Sequence, residues 1–316
     1  MLDLSKYKII VCSIVRDAEI GLRTNIPVIR ELLSYFGDYR VVVYENDSKD
    51  RTKELLKDWQ TTDQERVLVY MENKSAQKAI PMASSVNSNP FYSAIRISKM
   101  VALRNKYMEI VDQLDFDADY LMVVDLDVAQ LFLEPILNTF NSDKELDAVT
   151  ANGYSLGPNL RRRYHESYAL TEYGDEGNPQ TEEKILSLAK KYGKLQKADE
   201  WIRVYSAFGG LAIYRYEAIK GLRYQLLENG DDRVEVKCEH FSIYKQMAER
   251  GSDKVFINPD MKLKYQSLSM KIVIGHLRRQ WDGLVDRKLK ITPLSSRNTI
   301  IFMSCCYDGN DNLKAA

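Results

Sequence analysis

Apolar runs alternate with amphipathic stretches over the first 130 residues. Residues 7–15, 39–44 and 66–71 read as strands, and the unbroken hydrophobicity of the first is that of a strand buried on both faces of a parallel sheet. Helices are predicted between them. One covers 21–36, with Pro27 as a kink or late start and Gly37 past its end; the other, 53–59, is entered through the polar cluster Glu45-Asn46-Asp47-Ser48-Lys49-Asp50-Arg51-Thr52. Residues 72–90, rich in Ser, Asn and Pro without an apolar period, predict a loop. Residues 94–114 predict a long amphipathic helix. Met100, Leu103, Tyr107, Ile110 and Leu114 form one stripe; Ile97, Val101, Met108 and Val111 form its neighbour. Arg104 falls inside that second stripe, where an unpaired charge is expensive. Either it snorkels to the surface or it pairs with the carboxylates that end the next strand, Leu121-Met122-Val123-Val124-Asp125-Leu126-Asp127.

This alternation of strands and helices predicts a doubly wound, mostly parallel α/β sheet with helices on both faces. Residues 146–150 add a strand. From 152 to 200 the chain is expected to lose its strands: it is polar, carries Arg161-Arg162-Arg163 and has one helix near 182–192, the profile of an inserted substrate region or lid. Order returns at Phe208-Gly209-Gly210, a turn leading into a strand over 211–214. A helix over 235–250 ends at Gly251, and a last strand, 254–257, precedes Pro259.

Composition narrows the partners. Basic and acidic residues balance at 45 each, which disfavours nucleic acid as the main ligand. The 4 cysteines show no spacing of a disulfide framework or zinc site and fit a reducing compartment. No signal-peptide pattern opens the chain and no apolar run approaches a membrane span, so a cytoplasmic protein is expected. The 20 tyrosines suit sugar surfaces and ordinary cores alike.

Candidate chemistry gathers at the strand tip. Asp125 and Asp127 are one residue apart, so in extended backbone they point to the same side. Two convergent carboxylates repel unless a cation lies between them, and a hard divalent ion with free places for phosphate oxygens answers that need. The alternative is a pair of turn aspartates. Glu45 and Asp47, acceptor-only groups at the tip after the second strand, are candidates for a base or ribose; Ser48 reads better as a helix cap. Arg16, at the tip of the first strand, either binds base or diphosphate or forms a surface salt bridge. Glu239, in the first turn of its predicted helix, is held ionised by the helix dipole, as a base requires. Trp201 and Tyr205 are candidates for stacking on a sugar, and Gly209 and Gly210 permit close approach by a ligand or serve a turn.

Four blocks in this order resemble the GT-A glycosyltransferases: Val41 through Thr52; Asp125-Leu126-Asp127; Phe208-Gly209-Gly210 through Ala218; and Cys238-Glu239-His240-Phe241 through Gly251 with Asn258-Pro259-Asp260. More narrowly, Val43-Tyr44-Glu45-Asn46-Asp47-Ser48 and Cys238-Glu239-His240 are similar to the fungal capsule-type mannosyltransferase family and its bacterial and viral relatives. The resemblance implies a single GT-A-like catalytic domain over 1–283, with a nucleotide-sugar half at 7–130 and an acceptor half at 131–260 that includes the insert at 152–200. Residues 284–316 form a C-terminal extension.

It further implies a hexosyltransferase for surface polysaccharide or glycolipid, using Mn²⁺ or Mg²⁺. Asp127 would be the metal ligand and Asp125 shared between ribose and metal. His276 is the metal ligand by position, Arg278 and Arg279 are candidates to grip diphosphate, and Arg16, Glu45, Asp47 and Arg104 line the donor. Trp201, Gly209 and Gly210 would face the acceptor, and Glu239 and His240 the reaction. Inverting relatives usually have an aspartate where His240 stands, which leaves the stereochemistry open. A lipid-linked acceptor would imply peripheral membrane contact. Two alternatives stand beside this reading: a phosphatase, because Asp-x-Asp-Val after an apolar strand also resembles the first motif of the haloacid-dehalogenase type, and a non-catalytic glycan- or nucleotide-binding module.

Overall fold

The structure, a computed structural model, describes residues 3–73, 88–157, 160–197 and 199–266. The chain divides into one compact unit, Met1–Leu156 with Arg162–Ser267, and a second, Gly157–Arg161 with Leu268–Ala316. The elements named here belong to the first. His276, Arg278, Arg279 and the extension expected at 284–316 lie outside the described residues.

The N-terminal half follows the apolar pattern. β1 (Lys8–Val15), α1 (Glu19–Leu33), β2 (Asp38–Asn46), α2 (Thr52–Thr62), β3 (Val67–Glu72), α3 (Ala94–Gln113) and β4 (Tyr120–Val124) alternate along the chain. Their strands are parallel in the order β3-β2-β1-β4, with Cys12 set between Val42 and Val123. Ile9 to Cys12, Val41 to Val43 and Leu121 to Val124 are fully buried, as strands covered by helices on both faces must be. The strand order reverses between β1 and β4. A crevice opens there outside the strands' carboxyl ends, the place where open α/β sheets bind ligands. Arg16 and Asp125 stand at those two tips.

The second half completes the sheet with α4 (Leu133–Thr139), β5 (Ala148–Leu156), β6 (Arg162–Tyr164), β7 (Thr171–Glu172), α5 (Glu182–Tyr192), β8 (Ile202–Ser206), β9 (Leu211–Arg215), α6 (Tyr216–Ile219), α7 (Glu239–Glu249) and β10 (Val255–Lys264). The order is β3-β2-β1-β4-β9-β5-β10-β8-β7, with β6 hydrogen-bonded to β5. β9 runs antiparallel to both β4 and β5, which makes the sheet mixed but mostly parallel in its first half.

Three departures from the sequence reading have physical causes. Residues 152–200 are not free of strands: β5 continues to Leu156, and β6 and β7 follow. Tyr164, Tyr168, Leu170, Ile185 and Leu188 from this segment are buried in the central hydrophobic cluster. Secondly, α7 begins at Glu239 rather than near 235. The preceding segment pairs with itself through Lys237 N–H to Leu227 O (2.8 Å) and Asn229 N–H to Glu235 O (3.1 Å), and the Glu235 carboxylate accepts from the N-terminal amide of Ala94 on α3 (2.7 Å). Thirdly, β10 runs past Pro259 because its register against β5 shifts between Asn258 and Lys262. A bulge is where a strand accommodates a residue without an N–H. No described helix is long and apolar enough to cross a membrane.

Candidate active site

The loop after β4 is held by a residue the sequence reading passed over. Asn25, fully buried on α1, donates its amide to Leu126 O (3.1 Å) and Val128 O (2.7 Å) and accepts from Leu131 N–H (2.9 Å). α1 lies so close that a Cβ on Gly21 would stand 2.5 Å from Leu126 O. On the other side, Asp125 N–H donates to Gly210 O (2.9 Å). The backbone of Asp125-Leu126-Asp127 is therefore fixed between α1 and β9. Leu126 points inward, Asp125 is 8% exposed and Asp127 is partly exposed.

Arg104 does what its place in an apolar stripe required. It is 2% exposed, and its Nε donates to Glu239 Oε1 at 2.9 Å. Its Nη2 lies 3.8 Å from Asp125 Oδ1. The guanidinium also sits over the rings of Phe208 (5.1 Å) and Tyr224 (5.8 Å). The closer partner is thus Glu239, from α7, with Asp125 second; Nη1 has no protein partner. This one side chain ties α3, β4 and α7 together behind the crevice.

The surrounding charges are unevenly compensated. Burial raises Glu239, but the Arg104 guanidinium above all, with Arg96 further off, overcomes it and holds the carboxyl at about 2. Such a carboxylate is a weak proton acceptor, and in this structure Glu239 is the buried negative partner of Arg104. Asp125 is pushed well above the usual carboxylate range by burial and by the neighbouring Glu166, with Arg104 opposing. Burial raises Asp127 to about 6. Among the described residues of this cluster, carboxyl groups outnumber cationic side chains.

Glu166, also missed, belongs to the same cluster. It follows β6 with a φ of +58°, a conformation uncommon for a residue with a side chain. Its Oε2 is buried without a hydrogen-bond partner. Burial, partly offset by Arg104, raises it to about 7, and Glu239, Arg96 and Asp127 also lie within its electrostatic reach.

Other expected residues are placed differently. His240 is 1% exposed, stacked on Phe208 (3.9 Å between centroids) and edge-on to Tyr224 (5.7 Å), with neither ring nitrogen bonded; burial holds it neutral. It packs behind the crevice, between Phe208 and Tyr224. Glu45 is fully buried, with Oε1 accepting from Ser48 N–H (2.7 Å), so it braces the loop after β2 instead of reaching outward. Ser48 Oγ in turn accepts from Asp17 N–H (3.0 Å), joining the tips of β1 and β2. At those tips Asp47 has a φ of +58°, and Arg16 stands 3.7 Å from Asp17.

Gly209 (φ +63°) and Gly210 (φ +89°) are demanded by the protein itself. A Cβ on Gly209 would stand 2.3 Å from Ala151 O, and one on Gly210 3.1 Å from Leu263 Cδ1. Trp201 is partly exposed just before β8.

Among the described residues no three His, Cys, Asp or Glu are grouped to hold a metal ion alone. The donor set present does fit a cation that takes its remaining ligands from a substrate. Asp125 and Asp127 offer only oxygen donors, burial raises both, and Arg104 comes within ion-pair distance of Asp125 alone.

Residues 8–250 match the family model described as Cryptococcal mannosyltransferase 1. No curated protein matches the chain. Among solved structures, the mannosyltransferase PcManGT from Pyrobaculum calidifontis, in complex with GDP-Man and Mn²⁺, is 12% identical over 92% of this chain and 66% of its own, with a TM-score of 0.45. Glucosyl-3-phosphoglycerate synthase from Mycobacterium tuberculosis, in complex with phosphoglyceric acid, is 12% identical over 91% and 81% (TM-score 0.41). S. aureus TarS 1–349 is 11% identical over 90% and 75% (TM-score 0.43). The chain spans just under two thirds of the first of these proteins. At such identities no ligand is carried over from them.

Proposed function

Because this chain belongs to the Cryptococcal mannosyltransferase 1 family, we propose that it is a metal-dependent hexosyltransferase moving a sugar from a nucleoside-diphosphate donor to a hydroxyl of a glycan or lipid-linked glycan. The observation that carries the reading is the charge arrangement at the switch-point crevice. Asp125 and Asp127 end β4 short of positive charge, beside a buried Arg104 already committed to Glu239. A divalent cation held by the two aspartates would offset their charge and keep places for diphosphate oxygens.

Asp127, the more exposed of the pair, would hold Mn²⁺ or Mg²⁺, and Asp125 would share it or take ribose hydroxyls. The bound ion supplies Lewis-acid neutralisation of the diphosphate leaving group. The protein's own part is positional. Asn25 and Gly210 fix the aspartate backbone, so little reorganisation is needed on binding. Arg104 orients Asp125 from behind. The joined tips of β1 and β2, with Arg16 and Asp47, form the place for the nucleoside. Trp201, partly exposed just before β8, is the residue proposed for the acceptor. With Glu239 held at about 2, the chemistry does not depend on it as a base.

The test is a thermal-shift screen of nucleoside diphosphates and their sugar conjugates, with and without Mn²⁺. Stabilisation by one nucleotide family that requires Mn²⁺ and disappears in Asp127→Ala supports the reading. No response to any nucleotide, together with hydrolysis of a generic phosphate ester, would reject it in favour of phosphatase chemistry.

A further inference from the structure

The loop after β6 brings a carboxylate to the donor crevice that no motif announces. Glu166 is held there with some insistence. Preceding it, His165 stacks on Tyr265 (3.2 Å between centroids, 16° between planes) and donates its backbone N–H to Gly153 O (2.8 Å). Tyr164 lies against the Gly209 turn and bonds Ala151 O (3.2 Å). Following it, the Ala169 N–H returns to Glu166 O (2.8 Å). The residue between these anchors has left-handed backbone, a conformation that costs on the order of 1 kcal/mol or more for a non-glycine residue and persists only where surrounding contacts impose it. What this secures is a carboxyl oxygen, Oε2, buried and without a protein partner.

Its neighbours restrict what that oxygen receives. The loop lies against the Gly209 turn, where the adjoining Gly210 O accepts from Asp125 N–H (2.9 Å), and among the described residues Arg104, Glu239, Arg96, Asp127 and Asp125 are charged groups within its electrostatic reach. Arg104 Nε is taken by Glu239. A diphosphate would be repelled by a third carboxylate placed beside Asp125 and Asp127. An uncharged hydroxyl is attracted, because a carboxylate is an acceptor-only group and a sugar hydroxyl is a donor.

Building on the donor reading above, we propose that Glu166 binds a hydroxyl of the transferred sugar through its buried Oε2, at the junction between the cation-diphosphate end of the site and the Arg104–Glu239 pair. Glu166 therefore selects for a hexose with a hydroxyl at that position. It makes no contribution to nucleotide or metal affinity.

The test compares wild type with Glu166→Gln by calorimetry in Mn²⁺, using GDP and GDP-mannose as one pair of probes and UDP and UDP-glucose as the other. The quantity read is the ratio of the Kd for the sugar conjugate to the Kd for the parent nucleotide. Glutamine keeps the shape but removes a charge-assisted hydrogen bond, worth about 10- to 100-fold. The expected result is a rise of about 10-fold or more in that ratio for the pair the wild type binds, with the parent nucleotide's Kd unchanged. The unchanged nucleotide affinity also shows that the variant is folded. An unchanged ratio overturns the assignment, as does an equal loss for nucleotide and sugar conjugate, which would make Glu166 a cation or diphosphate ligand. If wild type binds neither nucleotide, the donor reading falls and this assignment with it. If wild type binds and only the ratio is insensitive, the donor reading stands alone.

Discussion

Asp127→Asn should make the free protein more stable while abolishing its metal-dependent nucleotide binding. Burial lifts the Asp127 carboxyl from 3.8 to about 6. Its folded pKa therefore lies above its unfolded one, and the folded state holds the proton more tightly. The group is stability-neutral below the unfolded value, costs progressively more as pH rises through this window, and exerts its full penalty at pH 7. A shift of about two units corresponds to about 3 kcal/mol, and the partial exposure of the side chain reduces that to about 1–3 kcal/mol. Asparagine resembles the protonated form and carries no such penalty. For a chain of this size the gain is about 2–5 °C in Tm. Differential scanning fluorimetry with a chelator, at pH 7 and pH 4, measures it directly. The variant should melt higher at pH 7 and together with wild type at pH 4. Adding Mn²⁺ and the nucleotide should then raise wild type only. Equal or lower stability of the variant at pH 7 would show that Asp127 is already compensated within the protein and would remove the electrostatic basis for a cation site.

Three other outcomes follow from the same geometry. Arg104→Met strands Glu239, which is 4% exposed, without its partner, and should cost about 3–5 kcal/mol in urea denaturation; Arg104→Met with Glu239→Gln should recover much of that loss. Asn25→Ala leaves buried carbonyls at Leu126 and Val128 and a buried N–H at Leu131 unpaired, for a loss of about 2–4 kcal/mol, and should weaken Mn²⁺-dependent nucleotide binding although residue 25 touches neither ligand. Burial holds His165 down at about 3. Its contribution is complete above pH 6.5 and declines by about 1.4 kcal/mol per unit as pH falls from 6.5 towards 3, because the unfolded chain takes up a proton the fold refuses. His165→Phe, which keeps the stack on Tyr265, should flatten the acid limb of a stability-against-pH curve; an unchanged limb would refute the assignment.

The N-terminal half was legible because its strands are buried on both faces. Such strands leave continuous runs such as Ile9-Ile10-Val11-Cys12, and parallel pairing forces a helix between each pair. The outer half has no such signal. β6 and β7 are three and two residues long, and β8 is half-buried, so none imposes a readable period. Their pairing depends on Tyr164, Tyr168 and Leu170 reaching a core built by distant segments. Of the 20 tyrosines that looked equally suited to a sugar surface, nine lie in that core.

The site was legible in proportion to how far each residue violated its surroundings. Arg104 interrupts an apolar stripe, and the structure makes it the buried link between β4 and α7. Asn25 violates its helix in the same way: Leu22, Ile29 and Leu32 are buried on the same side of α1, and a polar residue among them needed partners just as Arg104 did. The same question, put to α1, would have found it. Glu166 broke no rule in the sequence. It stands in a polar stretch where a glutamate is unremarked, and only the turn of the chain between β6 and β7 buries its oxygen beside Asp125 and Asp127. Glu239 and His240 show the opposite case. Their motif marked the helix start, and in the structure Glu239 pairs with Arg104 while His240 stacks on Phe208. A motif therefore locates this site, while the charge each group retains after burial decides its role.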